Sequence, residues 1–329
     1  MDDNVVRSVA ELVTACEAGA HVVACGFLAD EAIFATGEGE IVFLNGKKVA
    51  AHPNAAILEA VCDGRRIVTC GDDGRLVSTD AEGATELLAE IKNKWIDHVA
   101  LGPDDAIAWS AGKTTFVRTK KGEKTLEVPS TVGGLAFAPK GFRLAVAHYN
   151  GVSLWFPNSD AKPDVIVWKG SHLCTRWSPD GKFLITTMQE AALHGWRLDD
   201  KKDMRMSGYP TRIRSFNFSH DGKWLATSGA EAVVMWPFTA KDGPMGKEPK
   251  MIAAAREGAR VSCVASHPSR EALGVGYSDG MVMMVRTEDA AEILVRGPEG
   301  GEVTSLAWHP NGVSLAYGTD EGKAGVLNL

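Results

Sequence analysis

Several features that would mark a function at once are missing from this sequence. No two of its six cysteines (Cys16, Cys25, Cys62, Cys70, Cys174 and Cys263) are spaced as a CxxC pair. That removes the common zinc and redox motifs. Thiols scattered through apolar runs such as CGFLA and IVTCGDD read as free groups of a reducing compartment, not as a disulfide framework. No apolar run approaches the length of a membrane span, and the opening MDDNVVRSVAELVTACEAG is acidic, without the apolar stretch of a secretory leader. Basic excess is missing too, since a net charge of −7 leaves no electrostatic stripe for nucleic acid. The expectation is a soluble cytoplasmic chain whose partners include neither nucleic acid nor membrane. HExxH and the phosphate-cradling GxxxxGK[ST] are also lacking, so neither a metal nor a cofactor is expected.

What is plentiful is glycine, with 35 residues, and one recurring phrase. WSPDG at Trp177 to Gly181 returns as FAPKG at Phe137 to Gly141, FSHDG at Phe218 to Gly222 and WHPNG at Trp308 to Gly312. Aligned on its first residue, the series runs Phe27, Val61, Leu101, Phe137, Trp177, Phe218, Ser266 and Trp308, in steps of 34 to 48 residues. The mean step is about 40, inside the range in which a few short strands form one repeated unit. Within a unit such as RIRSFNFSHDGKWLATSGAEAVVMW, alternating IRSFNF reads as a half-buried strand, SHDG as a turn, KWLATSG as a second strand and AVVMW as a third. Weaker segments such as TELLAEI and PDVIVW supply fourth, outer strands. No unit carries a helix-period stripe. The stretch PFTAKDGPMGKEPKM, residues 237–251, reads as an extended loop that explains the longest step.

The phrases WSPDGKFLITT, FSHDGKWLATSG and NGVSLW resemble the WD-repeat family of β-propellers over nearly the whole chain, in degenerate form. Trp155, Trp196 and Trp236 match the family's third-strand tryptophan, but Phe156, Arg197 and Pro237 stand where it has aspartate. The family's histidine before the first strand is matched by His21 and His172, and its turn aspartate by Asp73 and Asp279. The resemblance implies an all-β fold: a single closed β-propeller of four-stranded blades spanning residues 1–329 as one domain. Eight blades are expected, with seven as the alternative. An eighth unit of three strands would leave an exposed sheet edge, so the segment Val5 to Val13 is expected to join the last blade as its outer strand and close the ring.

For a propeller, the resemblance puts first strands around a central channel, where the facing residue is usually small: Gly26, Ala60, Ala100, Ala136, Ala265 and Ala307. Arg176 and Asn217 break that rule, and Glu59 and His98 add polar groups to two other first strands. These four are the candidates for a channel site, against the alternative that they hydrogen-bond to neighbouring backbone. The resemblance also puts one set of loops on a common face. That face would carry Lys94, Trp95, His148, Tyr149, His172, Gln189, Glu190, Arg212 and Tyr277. Trp95 and Tyr149 are the expected aromatic anchors and Arg212 the charged one, since these residue types anchor interfaces. Two functions from different classes follow. The first is a non-catalytic scaffold that binds a protein or peptide partner on a propeller face. The alternative is a propeller enzyme of the hydrolase, lactonase or metal-dependent type, with its site at the channel.

Overall fold

Alternating, turn-punctuated segments become short antiparallel strands throughout. The computed structural model describes residues 7–329, and these form seven hydrogen-bonded sheets. Contacts divide the chain into two compact units, one from residues up to Ala50 together with Arg214–Leu329, the other Ala51–Ile213.

The second unit holds three sheets. One runs Ile57–Cys62, Arg66–Gly71, Arg75–Asp80 and Thr85–Glu90, and the next His98–Leu101, Ile107–Ala111, Thr114–Thr119 and Gly122–Glu127. The third has six strands: Gly134–Phe137, Leu144–Trp155, Asp164–Trp177, Phe183–Met188, Leu193–Arg197 and Lys202–Met206. Four sheets make up the first unit. They begin at Val22–Leu28, Phe216–Phe218, Val261–Ser266 and Val303–Trp308, each continuing in chain order to its neighbours.

Seven sheets stand where the repeat count leads to eight, and the difference arises at one place. Elsewhere a turn or a longer connector interrupts the ladder, as between Gly71 and Arg75 or between Glu90 and His98. In the six-stranded sheet, Leu144–Trp155 spans what the repeat reads as second and third strands, with the left-handed Asn150 and Gly151 between them. Asp164–Trp177 likewise spans a fourth strand and the next unit's first, with the left-handed Gly170 between them. Tyr149 pairs with Ser171 at the junction, so the hydrogen-bonded ladder never stops there.

The N-terminal expectation is also corrected. Val5 and Val6 lie outside the described residues. Arg7–Ser8 pairs parallel with Glu292–Arg296, giving that sheet a fifth strand, and Ala10–Leu12 forms a 3-10 turn. The strand beside Lys323–Asn328 is Val13–Glu17, in the register Val13 to Leu327 and Glu17 to Lys323. The pairing segment therefore begins where the expected one ends. Residues 238–249, between Val233–Pro237 and Lys250–Ile252, form the expected loop, with left-handed Gly243 and Gly246.

Burial follows position in the sheet. Second and third strands are covered on both faces, as in Phe183–Met188 and Val233–Pro237, whereas the outer Gly122–Glu127 is largely exposed. Apolar clusters link consecutive sheets, and a further one, with Ala145, Val152, Trp177 and Trp196, lies within the six-stranded sheet. Val68, Cys70 and Leu76 meet Ile96, Val99, Ile107 and Trp109, and Cys263, Val282 and Met284 meet Val303, Leu315 and Tyr317. At about 1.5–3 kcal/mol for each large side chain fully buried, these seams are the main stabilising term.

The recurring phrase is a hydrogen-bonded turn. Ser178 Oγ donates to Asp180 Oδ1 (2.7 Å), which also accepts the Lys182 N–H (3.1 Å), and the Phe183 N–H donates back to Ser178 Oγ (2.9 Å). Ser219, Asp221, Lys223 and Trp224 repeat the pattern. The closing glycines Gly141, Gly181, Gly222 and Gly312 all have φ between 71° and 77°, a region open to glycine without the Cβ penalty. Trp177 Nε1 donates to the Ala136 carbonyl of the preceding repeat (3.0 Å), and Trp308 Nε1 does the same to Ala265 (3.1 Å). The phrase thus turns the chain and ties it to the previous repeat. Replacing Trp177 by Phe removes the indole donor to the Ala136 carbonyl and leaves a gap, so stability in urea unfolding is expected to fall by about 1–3 kcal/mol.

Candidate functional site

Antiparallel pairing puts three features at one end of each sheet: the start of the first strand, the turn between second and third, and the end of the fourth. In the second unit Ile57 lies opposite Gly71 and Arg75 opposite Glu90; His98 lies opposite Ser110 and Thr114 opposite Glu127. Hydrogen bonds link these ends in sequence. The Ile91 N–H donates to Gly74 O, Ile96 to Gly71 O, Gly112 to Asp97 Oδ2, and Val128 to Lys113 O. Beyond them, the Tyr149 N–H donates to Ser130 Oγ, Gly170 to Asn150 Oδ1, and Gln189 to Ser171 O. Arg212 donates a guanidinium N–H to Gln189 Oε1 at 3.1 Å. The result is one continuous edge from Gly74 to Arg212.

Local structure explains what that edge presents. Asn93 turns through a left-handed conformation (φ 60°), and Ile96 is fully buried among its neighbours. Anchored by that plug, Trp95 projects outward and is 61% exposed. Tyr149 follows from strand alternation: His148 points into the sheet interior at 3% exposure, and Tyr149 points out at 50%. Gln189, Glu190, Arg212 and Lys94 are exposed, with the Glu190 carboxylate lying against Gly170.

Three residues expected on this face are not there. His148 is a core residue, bonded through Nδ1 to Tyr149 O (2.9 Å) and through Nε2 to Ser153 Oγ (3.0 Å). His172 is buried between Thr186 Oγ1 (2.8 Å) and Trp168 O (2.9 Å). Tyr277, in the first unit, is 1% exposed, and its hydroxyl donates to Ala253 O at 3.0 Å. Burial disfavours the charged forms and lowers the pKa of both histidines, and burial raises that of Tyr277.

Comparison with known proteins agrees with the repeat pattern. The family model described as "WD domain, G-beta repeat" matches residues 201–236. Periodic tryptophan protein 2 homolog of Neurospora crassa is 21% identical over 223 residues, and Periodic tryptophan protein 2 of Saccharomyces cerevisiae 24% over 170. These alignments cover 58% and 44% of this chain. Among solved structures, the computationally designed Ika8 protein matches 95% of this chain and 98% of its own, with TM-score 0.75 at 14% identity. A chain from a structure titled "Crystal Structure of Mitotic Checkpoint Complex" matches 80% of this chain and 86% of its own, with TM-score 0.65 at 12% identity. Residues 201–236 carry a WD repeat, and the chain is similar in sequence pattern and fold to WD-repeat β-propellers. It spans only 24% and 18% of the length of the two Periodic tryptophan proteins.

The propeller's polar signature is partly written in residues the sequence reading assigns elsewhere. His52, fully buried, bonds through Nδ1 to Asp73 (3.0 Å) and through Nε2 to Thr69 Oγ1 (2.9 Å), which in turn donates to Val77 O. Asp73 is the expected turn aspartate, but its histidine partner is not among the two proposed from sequence. The clue was available: His52 precedes the strand Ile57–Cys62, the place the family gives its histidine.

Of the four polar first-strand residues, the structure joins two. His98 Nδ1 meets Glu59 Oε2 at 3.0 Å, and the same oxygen accepts the Val99 N–H at 3.2 Å. Arg176 is an exposed residue on Asp164–Trp177, paired in register with Ile185. Asn217 belongs to the first unit, half-buried and opposite Ala226.

Two arrangements bear on catalysis. GYSDG at Gly276 to Gly280 has the G-x-S-x-G spacing of a hydrolase nucleophile elbow. Here it joins strand Ala272–Tyr277 to strand Val282–Arg286 instead of entering a helix, and Ser278 Oγ accepts the Arg260 N–H (3.0 Å). Among the described residues no hydrogen bond links Ser278 to a histidine. His220, Asp221 and Glu271 place ligand atoms within 4.8 Å of one another. Asp221 is already engaged by Ser219, by Lys223 Nζ (2.8 Å) and by the Lys223 N–H, and Glu271 accepts from Thr287 Oγ1. These contacts account for the carboxylates as turn and strand braces.

The Glu59–His98 pair has a pH signature. Burial opposes the imidazolium, but the Glu59 carboxylate, Asp97 and the Val132 carbonyl together outweigh it and raise the His98 pKa. A raised folded-state pKa means the folded chain holds the proton more tightly. The stabilisation is complete below the unfolded value of about 6.5 and is lost as pH rises through the folded value. In Glu59→Gln, NMR titration is expected to show a lower His98 pKa. The same substitution should remove the decline in stability that the pair contributes above pH 6.5.

Proposed function

We propose that this propeller is a non-catalytic interaction scaffold that binds a protein or peptide partner on the edge from Gly74 to Arg212. Trp95 and Tyr149 are the aromatic anchors and Arg212 the charged one, with Gln189 and Glu190 as flanking polar contacts. The observation that carries this reading is the exposure of Trp95 and Tyr149, 61% and 50%, on a single hydrogen-bonded edge of packed sheets. Large aromatic side chains left in water lose the burial that stabilises them elsewhere, and interfaces recover it. Loops held by a stiff scaffold are where such contacts concentrate. Glu59 is tied to His98, and the carboxylates near His220 are tied to turn donors, so the enzymatic alternative draws no support from them. The six cysteines form no disulfide among the described residues, which suits a reducing compartment.

The edge is tested by capture from a lysate of the source organism. The Trp95→Ala, Tyr149→Ala double variant is expected to lose the captured partner with an unchanged melting temperature. Phe156→Ala, which removes an exposed aromatic elsewhere on the same unit, is expected to retain it. Equal capture by all three proteins would refute the proposed edge. We also take residues 1–329 to act as one domain, so calorimetry is expected to show a single cooperative unfolding transition; two resolved transitions would overturn that.

A further inference from the structure

One outer strand of the second unit lacks the protection that the others carry. An edge strand offers unpaired N–H and C=O groups, and outward charges discourage another chain from adding to it. Glu86 and Glu90 are exposed on Thr85–Glu90, Glu123, Lys124 and Glu127 on Gly122–Glu127, and Lys202, Asp203 and Arg205 on Lys202–Met206. Residues 164–168 instead expose Val165 and Val167, at 46% and 69%. One side of this segment pairs with residues 151–154, and among the described residues no strand pairs with the other. The backbone is open there as well. A Cβ on Gly151 would collide with the Ile166 carbonyl, so that carbonyl faces Gly151. Successive residues of a strand turn their backbone groups to opposite edges, so those of Val165 and Val167 face the open side.

We infer that this edge is a self-association site, where a second copy of the chain adds antiparallel about a two-fold axis through Ile166. The segment is its own complement in that register. Val165 of each copy lies opposite Val167 of the other, so four exposed valines cover one another and their outward backbone groups find partners. The charges fit the same register. Asp164 and Lys169 are the charged residues between 164 and 169, one near each end, and the two-fold brings opposite signs together at both ends. Asp164 keeps its bond from Lys201 Nζ (2.7 Å) in this arrangement. The chain already extends one outer strand by addition: Arg7–Ser8 pairs beside Ile293 and Leu294 in the first unit. Pro163 has no N–H to give, so the ladder stops there and the contact is short. The dimer is therefore weak and forms only as concentration rises. This contact does not depend on the partner edge proposed above.

The test is analytical ultracentrifugation of the full chain from about 1 μM to about 1 mM, the span of weak association. The mean mass is expected to rise with concentration toward that of a dimer. Val167→Lys is expected to weaken association at least about tenfold, with its melting temperature in dilute solution unchanged. Leu87→Lys, at an exposed apolar residue of another outer strand, is expected to associate as the parent does. Oxidation reads the register. A mixture of Val165→Cys and Val167→Cys chains is expected to form far more disulfide-linked dimer than either chain alone, because the two-fold sets 165 opposite 167. A monomer at every concentration overturns the inference, and so does association that Val167→Lys leaves intact. Cross-linking of each single variant as readily as the mixture overturns the antiparallel pairing about Ile166.

Discussion

Every sheet in this protein depends on its neighbours, because its middle strands have no solvent-facing side. Phe183–Met188 and Leu193–Arg197 are buried almost throughout, so an isolated sheet would expose apolar area on both faces. Consecutive sheets remove that area by sharing clusters, with Leu144 and Val146 meeting Ala100, Ala108 and Val117. Clefts do remain between sheets, such as the one lined by Ser78, Glu86, Ile107 and Arg118.

Polar links complement the apolar seams. The indoles of Trp177 and Trp308 each donate to the preceding repeat, and the His52–Asp73–Thr69 network satisfies groups that would otherwise be orphaned in the interior. Not every buried polar group is served. His194 is fully buried and stacked on Trp168 at 4.1 Å, and neither ring nitrogen has a hydrogen-bond partner. Burial, with the nearby His172 and Arg205, lowers its pKa to about 3. It therefore stays neutral while folded, and the stability this supports is present above about pH 6.5 and lost as acid protonates the unfolded chain. His194 and the Glu59–His98 pair thus push stability in opposite directions along the pH scale.

The repeat was readable because its signal is chemical and local: a serine or histidine, an aspartate or asparagine, and a glycine in fixed order before an alternating strand. The exposure of Trp95, Tyr149 and Arg212 was readable for the same reason, as bulky or charged residues beside turn signals. His148 and Tyr277 were not, because the last residues of a strand alternate between faces and a boundary error of one residue inverts the assignment. His52 escaped because the stretch between one outer strand and the next first strand varies in length, so its spacing carries no fixed register. The sheet count differs where the reversal at Asn150 and Gly151 (φ 68° and 149°), closed by the His148–Ser153 bond, leaves no unpaired residue between strands and Tyr149 pairs on into the next repeat. The N-terminal strand was misplaced by its length because the apolar residues of VVRSVAELV and those of VTACE satisfy the same pattern.

That unbroken ladder bears on how the candidate edge would bind. Tyr149 and Ser171 pair where backbone hydrogen bonding passes from one repeat into the next. A side chain mounted on such a junction has already lost its backbone freedom during folding. Association would then be spared most of the ordering entropy that loop-borne contacts forfeit. Within this interface Tyr149 would act as the pre-set reference point, and Trp95, carried on a connector, as the contact that adjusts to it.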